Sequence, residues 1–257
     1  LTALATSKIE IHLHQIAAAR RVLSDPVHRY LLADEVGLGK TIEAGILIVQ
    51  HLVDEGVRAR VLVLVPDPLV EQWRTELTAS FGVGPDAGVA IQPFARLDDD
   101  VSDERPTLVV VDEAHRIAGW VFPSGSETSD IGKVQGPARY RRLEQLAKCP
   151  KFLLLSGTPV LHHEDGFLAM LHLLDPVAYD LADREESRRR VAARRQVADV
   201  LAELQPDFEA DFLRPVLDRL QAQTAGDAEL TRRVADVRRA VEGAGDASVG
   251  AIEDLRS

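Results

Sequence analysis

Short apolar runs, each closed by a polar turn, set the pattern of the first two thirds of the chain. Tyr30–Ala33, Arg60–Val65, Gly88–Phe94, Thr107–Val111 and Lys151–Leu155 have the length and the β-branched character of strands. Between them the period changes to that of helices. Residues 8–23 begin extended and turn helical near His14, and Asp25-Pro26 stops that helix. Ile42, Gly45, Ile46 and Val49 mark a second helix. Leu69, Val70, Trp73 and Leu77 give a third over 69–80, in which Trp73 is a core anchor ahead of a ligand platform. Tyr140, Leu143 and Leu146 mark a fourth over 138–149, and 162–174 forms a fifth. The polar, Gly/Ser/Pro-rich stretch 122–137 reads as a mobile loop. Strands that are apolar on both faces and alternate with helices predict an α/β fold with a parallel, doubly wound sheet.

Beyond residue 180 the β-runs stop, lysine disappears and arginine is abundant. Val197, Leu201, Leu204, Phe208, Phe212 and Val216 step at helical spacings, and Leu230, Val234, Val237 and Val241 repeat as 4-3-4. The division predicted is 1–180 as the α/β lobe and 181–257 as a helical appendage, a linker or an insertion. Its apolar stripe is too short to establish a dimer. The clusters Arg188–Arg190 and Arg194–Arg195 are interleaved with acids and read as a solvated helix face rather than a phosphate contact.

Composition narrows the classes. A chain of 257 residues, 46% apolar, can bury a full core. No uninterrupted apolar run reaches membrane-spanning length and no basic-apolar leader precedes the fold, so no membrane partner is expected. Leu1 is not a natural start, which marks the sequence as an excerpt. The single cysteine, Cys149, excludes an internal disulfide and a thiolate metal cluster and makes an intracellular setting the default. A net charge of −11 argues against a free-standing basic nucleic-acid module, though not against a motor that touches phosphates through a small patch. The acids Asp98–Asp100, Asp103 and Glu104 form a solvated loop between strands.

Candidate chemistry lies in the turns after three of the strands. Asp34-Glu35-Val36-Gly37-Leu38-Gly39 leads into Lys40-Thr41 and a helix, which makes a phosphate cradle. Successive amides and the helix N-terminus point at the anion, Lys40 reaches the β- and γ-phosphates, and the Thr41 hydroxyl ligates Mg²⁺. Asp34 stands where the strict motif has glycine. Asp112, at the tip of the fourth strand, supplies a second, water-mediated carboxylate for the metal, and Glu113 orients the attacking water. These two are expected on a strand next to the phosphate-loop strand, with Ser156-Gly157-Thr158-Pro159 on the one after. His12 and His14 do not share a helix face and have no carboxylate at ligand spacing, so a metal site there is not expected. Gln15 is either a surface amide or the group that reads an adenine edge.

The stretches IHLHQ, LLADEVGLGKTIEAG, VLVLVPDPLVEQW, VVVDEAH, LLLSGTP and FLAMLHLLDP together resemble the first RecA-like lobe of superfamily 2 helicase-type ATPases. Within these they are most similar to the Swi/Snf branch and its bacterial RapA/HepA-like members, over about residues 8–180. The resemblance implies a P-loop NTPase lobe that binds ATP and Mg²⁺, in a bacterial cytoplasmic protein that translocates on double-stranded DNA. It makes Gln15 the adenine-reading glutamine, Lys40 and Thr41 the phosphate and metal contacts, and Asp112 and Glu113 the magnesium and water-activating carboxylates. His115 becomes the nucleotide sensor that communicates with Ser156, Gly157 and Thr158. Pro66 and the start of the following helix become the segment that meets a DNA backbone. Gly157 stands where alanine is common, and the acidic 94–107 interval is shorter than the pattern.

A second RecA-like lobe of the same polypeptide is implied as a partner, because it carries the arginines that complete the phosphate site. The isolated chain is therefore expected to be nearly inactive. Two other functions share the same motifs: a strand-separating DNA or RNA helicase, and a regulatory NTP-binding module that recruits partners through its helical tail.

Overall fold

The computed structural model describes residues 12–33, 39–98, 105–121, 130–157, 164–203, 210–224 and 228–242. It divides into two compact units, 1–182 and 183–257. In the first, α1 (Leu13–Ser24) precedes β1 (Arg29–Leu32), α2 (Lys40–Glu55), β2 (Val61–Val65), α3 (Val70–Phe81), β3 (Val89–Pro93) and β4 (Leu108–Val111). The helix α4 (Asp130–Leu146), β5 (Lys151–Leu155) and α5 (Glu164–Leu174) complete it.

The strands form one parallel sheet in the order β1-β5-β4-β2-β3. Strict alternation along β2 divides its side chains between two cores. Val61, Val63 and Val65 pack with Ala19, Ile46, Ile48, Trp73 and Leu77 of α1, α2 and α3. Leu62 and Leu64 face the other way, toward Tyr140, Leu143, Met170 and Leu173 of α4 and α5. Period-2 burial on both faces is what makes the strands read as unbroken apolar runs. The helix after β1 covers one face and the helix after β4 covers the other, which opens a crevice at the C-terminal ends of the strands.

Two differences from the sequence expectations concern the site. The strand carrying Asp112 and Glu113 is not next to the phosphate-loop strand: β5 lies between β1 and β4. Residues 130–137 are helical rather than loop, so α4 runs 130–146 despite Pro137 inside it. Tertiary packing outweighs propensity here. A Cβ at Gly136 would come within 2.9 Å of the Trp120 backbone, so the glycine lets this helix pack against the short helix Ala118–Val121. The remainder of the expected loop, 122–129, and the acidic segment 99–104 lie outside the described residues.

The second unit holds α6 (Arg184–Glu203), α7 (Ala210–Gln223) and α8 (Ala228–Glu242). Val200, Leu213, Val216, Leu217, Leu220, Val234, Val237 and Val241 are its buried core. The 4-3-4 stripe of α8 is thus covered within the chain, by α7. The Asp183 carboxylate accepts from the Glu186 amide at 3.2 Å and starts α6. Leu201, Leu204, Phe208, Phe212 and Leu230, predicted in the same stripes, are outside the residues whose side chains are described.

Candidate active site at the carboxyl ends of the strands

Gly39 is the N-cap of α2, at φ 87° and ψ 35°, a left-handed conformation that costs glycine little. Its carbonyl accepts from the amides of Ile42 at 2.8 Å and Glu43 at 3.1 Å. Lys40 and Thr41 therefore form the first turn, where amides have no intrahelical acceptor and the helix dipole favours an anion. Both side chains are half-buried.

Gln15 sits against this turn. A Cβ on Gly39 would meet the Gln15 Nε2 at 2.1 Å, so only glycine admits the amide there. Gln15 is 4% exposed, and its Oε1 accepts from the His12 amide at 3.0 Å, capping α1. The residue is thus no surface amide: it joins the N-terminus of α1 to the last residue of the glycine loop. The His12 and His14 rings stack beside it, 5.6 Å apart and 8° from parallel.

Two strands away, β4 ends in Asp112. Its amide donates to the Leu64 carbonyl at 2.8 Å and so extends the pairing with β2 by one bond. Both carboxylate oxygens are held. Oδ1 accepts from the Glu113 amide at 2.8 Å, and Oδ2 accepts from the indole N–H of Trp73 at 2.8 Å. Glu113 itself is at φ 49° and ψ 44°, the one left-handed residue other than glycine among the described residues. That conformation costs a side-chain-bearing residue about 1 kcal/mol or more and collects at functional sites. The Glu113 Oε2 lies 3.2 Å from the His115 Nδ1, off the line of a hydrogen bond. Glu113 and His115 are each more than a third exposed.

Between these two tips lies the end of β5. The Ser156 amide donates to the Leu32 carbonyl at 3.0 Å, which ties it to the last residue of β1, and both Ser156 and Gly157 are buried. With strands about 4.8 Å apart, β1 and β4 stand roughly 10 Å apart, a gap that a lysine from one side and a carboxylate from the other can close around a phosphate chain. The structure thus brings Gln15, Gly39, Lys40, Thr41, Asp112, Glu113, His115, Ser156 and Gly157 to one end of one sheet. Glu35, Val36, Gly37, Leu38 and Thr158 lie outside the described residues. Pro66 is at the same end but buried, and Asp67 and Pro68 are the exposed residues of that turn.

Trp73 is the residue that sequence reasoning understated. It is 1% exposed, as a core anchor should be, yet its one polar atom is spent on Asp112. No signal in the sequence joins positions 39 residues apart.

Residues 14–85 match the SNF2-related domain. RNA polymerase-associated protein RapA of Pseudomonas aeruginosa (strain LESB58) is 36% identical over 208 residues, 74% of this chain and 21% of that protein. The chain is thus SNF2-related over residues 14–85 and similar to RapA over most of its length. RapA of Stutzerimonas stutzeri (strain A1501) is 34% identical over 254 residues, 86% of this chain and 25% of that protein. The chain thus spans a fifth to a quarter of the length of these curated relatives. Among solved structures, the Sulfolobus solfataricus SWI2/SNF2 ATPase core in complex with dsDNA aligns with a TM-score of 0.58 at 15% identity, over 97% of this chain and 64% of that one. The parallel sheet and its flanking helices share the RecA-like fold of that core. No helix among the described residues is long and apolar enough to cross a membrane.

Proposed function

We propose that this SNF2-related chain is the ATP-binding lobe, residues 1–180, of a cytoplasmic double-stranded DNA translocase, with 181–257 a helical insertion or linker. The observation that carries this is the meeting of three loop tips at one end of the sheet: Lys40-Thr41 on α2, Asp112-Glu113 after β4 and Ser156-Gly157 after β5. The donor set suits a magnesium nucleotide: a hydroxyl at a helix start and, at the same end of the sheet, a carboxylate whose two oxygens are already oriented by N–H groups.

Lys40 and the amides of the α2 N-terminus would bind the β- and γ-phosphates. Thr41 and Asp112 would hold Mg²⁺, which supplies charge neutralisation at the phosphate oxygens. Glu113, half-exposed on a left-handed backbone, would orient and polarise the attacking water, and His115 would sense the outcome through the carboxylate beside it. Gln15 would contact the adenine edge while its packing on Gly39 reports on the loop. The buried Ser156–Gly157 turn, with Thr158 after it, would couple the site to movement of a second lobe. Pro66 would shape the turn that meets the DNA backbone, a contact of position rather than sequence. The relatives named for association with RNA polymerase make that enzyme a candidate partner of the whole polypeptide.

Steady-state ATP hydrolysis by the full-length polypeptide, with duplex DNA, single strands and RNA as separate additions, tests the proposal. Duplex should stimulate most, K40A should lose nucleotide binding, and the isolated chain should turn over orders of magnitude more slowly than the full-length protein. Equal ATP binding by K40A and wild type would overturn the ATP site. Stimulation only by single strands or RNA would replace the translocase with a strand-separating helicase.

A further inference from the structure

We propose that Trp73 is a positioning residue for the Asp112 carboxylate, holding it in the orientation that a bound magnesium nucleotide needs, a role that rests on the ATP site proposed above. Trp73 sits in the first turn of α3 with its ring inside the core, and its Nε1–H donates to Asp112 Oδ2 at 2.8 Å. An indole N–H is a donor only. It cannot ligate a metal or take a proton, so its single effect on Asp112 is to fix the carboxylate as an acceptor in one rotamer. The Glu113 amide does the same for Oδ1, from the backbone.

The two constraints differ in origin. The Glu113 amide belongs to the same turn as Asp112 and moves with it. Trp73 belongs to α3, which begins directly after the Pro66–Leu69 turn. The side chain therefore anchors the carboxylate to an independent element. Partners of this kind behind a ligating carboxylate typically change metal affinity or activity by about 10- to 100-fold when removed.

The test is nucleotide binding by this chain, measured with ADP in the presence of Mg²⁺ and in its absence. Wild type should gain affinity from Mg²⁺. W73F keeps an aromatic ring in the core and loses only the N–H. It should lose about tenfold of the Mg²⁺-dependent gain while its metal-free ADP affinity stays at the wild-type value. D112A should lose the gain too, and W73F should add nothing further to D112A. A merely structural tryptophan would instead lower both affinities together. A W73F chain that retains the full Mg²⁺ gain overturns the assignment and leaves the ATP site standing. A wild-type chain with no Mg²⁺ gain overturns both.

Because W73F can fail on folding alone, a second measurement uses the native core. Trp73 and Trp120 are the two tryptophans, so the ¹⁵N-indole spectrum has two signals, and W120F assigns them. D112A should shift the Trp73 signal without any ligand, and Mg²⁺·ADP should shift it in the wild type. A Trp73 signal indifferent to D112A overturns the proposal.

Discussion

The same strands end in opposite ways at the two edges of the sheet. At the carboxyl ends, several polar side chains stay within reach of solvent. Gly39 and Glu113 hold left-handed conformations, and Lys40, Thr41, Glu113 and His115 remain partly exposed. At the amino ends, polar groups close on one another. Lys151 donates to His51 Nδ1 at 3.0 Å, which leaves His51 Nε2 to donate to Thr107 Oγ1 at 2.7 Å, and Thr107 in turn accepts from the Arg60 amide at 2.9 Å. Arg29, the first residue of β1, donates to the carbonyls of Leu174 (2.8 Å), Leu173 (2.6 Å) and Ala147 (2.7 Å), and so caps the ends of α5 and α4 with one guanidinium. A hollow of about 1260 Å³ also opens at this end, lined by Arg60, Gln92, Arg105, Arg142 and Lys148 among others, away from the three loop tips. The lesson is a division of labour: one edge holds the fold together and the other keeps its groups available for a ligand.

Breaking the exposed edge should have the largest effect, and on turnover rather than stability. Glu113→Asn in the full-length polypeptide should lower ATP turnover by about 10²- to 10⁴-fold. Asparagine tolerates the left-handed backbone better than glutamate, so the same variant should unfold at equal or slightly higher denaturant, by up to about 1 kcal/mol. A variant that lost stability along with turnover would mean that the Glu113 backbone stores no such strain.

The closed edge should respond the other way. Arg29→Met leaves three or more helix-end carbonyls without their charged donor and should cost about 3 kcal/mol in urea unfolding. Magnesium-nucleotide affinity, measured below the unfolding transition, should be unchanged. A fall in affinity without a fall in stability would dissolve the division between the edges.

His51 sharpens the comparison through pH. Burial first, and then the neighbouring Lys151 charge, pull its pKa from 6.5 to about 4. The folded chain keeps the ring neutral where the unfolded chain protonates it. Its contribution is therefore full above pH 6.5 and is lost as pH falls toward 4, an effect of up to about 3 kcal/mol. H51Q should flatten the stability–pH curve in that window, and an unchanged slope would remove His51 as its cause.

The smallest effect is at Cys149. Burial raises its thiol to about 11, and Sγ donates to the Lys151 carbonyl at 2.8 Å. Half-buried, with its thiol held protonated, the sole cysteine should react with iodoacetamide at pH 8 several-fold more slowly in the folded chain than in urea. Fast labelling of the folded chain would mean that the closed edge opens locally.

Much of this was legible in the chain itself. The strands Lys151–Leu155 and Val61–Val65 were readable because burial on both faces leaves unbroken apolar runs, and the helix start at Lys40-Thr41 because an apolar-periodic run follows a glycine there. Short-range physics fixes such features, so local order of residues is enough to find them. What the sequence could not carry was who stands beside whom. That β5 separates β1 from β4, that the Gln15 amide lies on Gly39, and that the Trp73 indole reaches Asp112 are matters of packing between distant segments. The helical turns at 130–137 belong to the same class, since polar composition predicts a loop and only the close approach of Gly136 to Trp120 makes a helix the better solution. Sequence determined the elements and the chemistry each one offers. Tertiary structure decided which of those groups meet, because burial and directional hydrogen bonds are satisfied only once the sheet has brought its strand ends together.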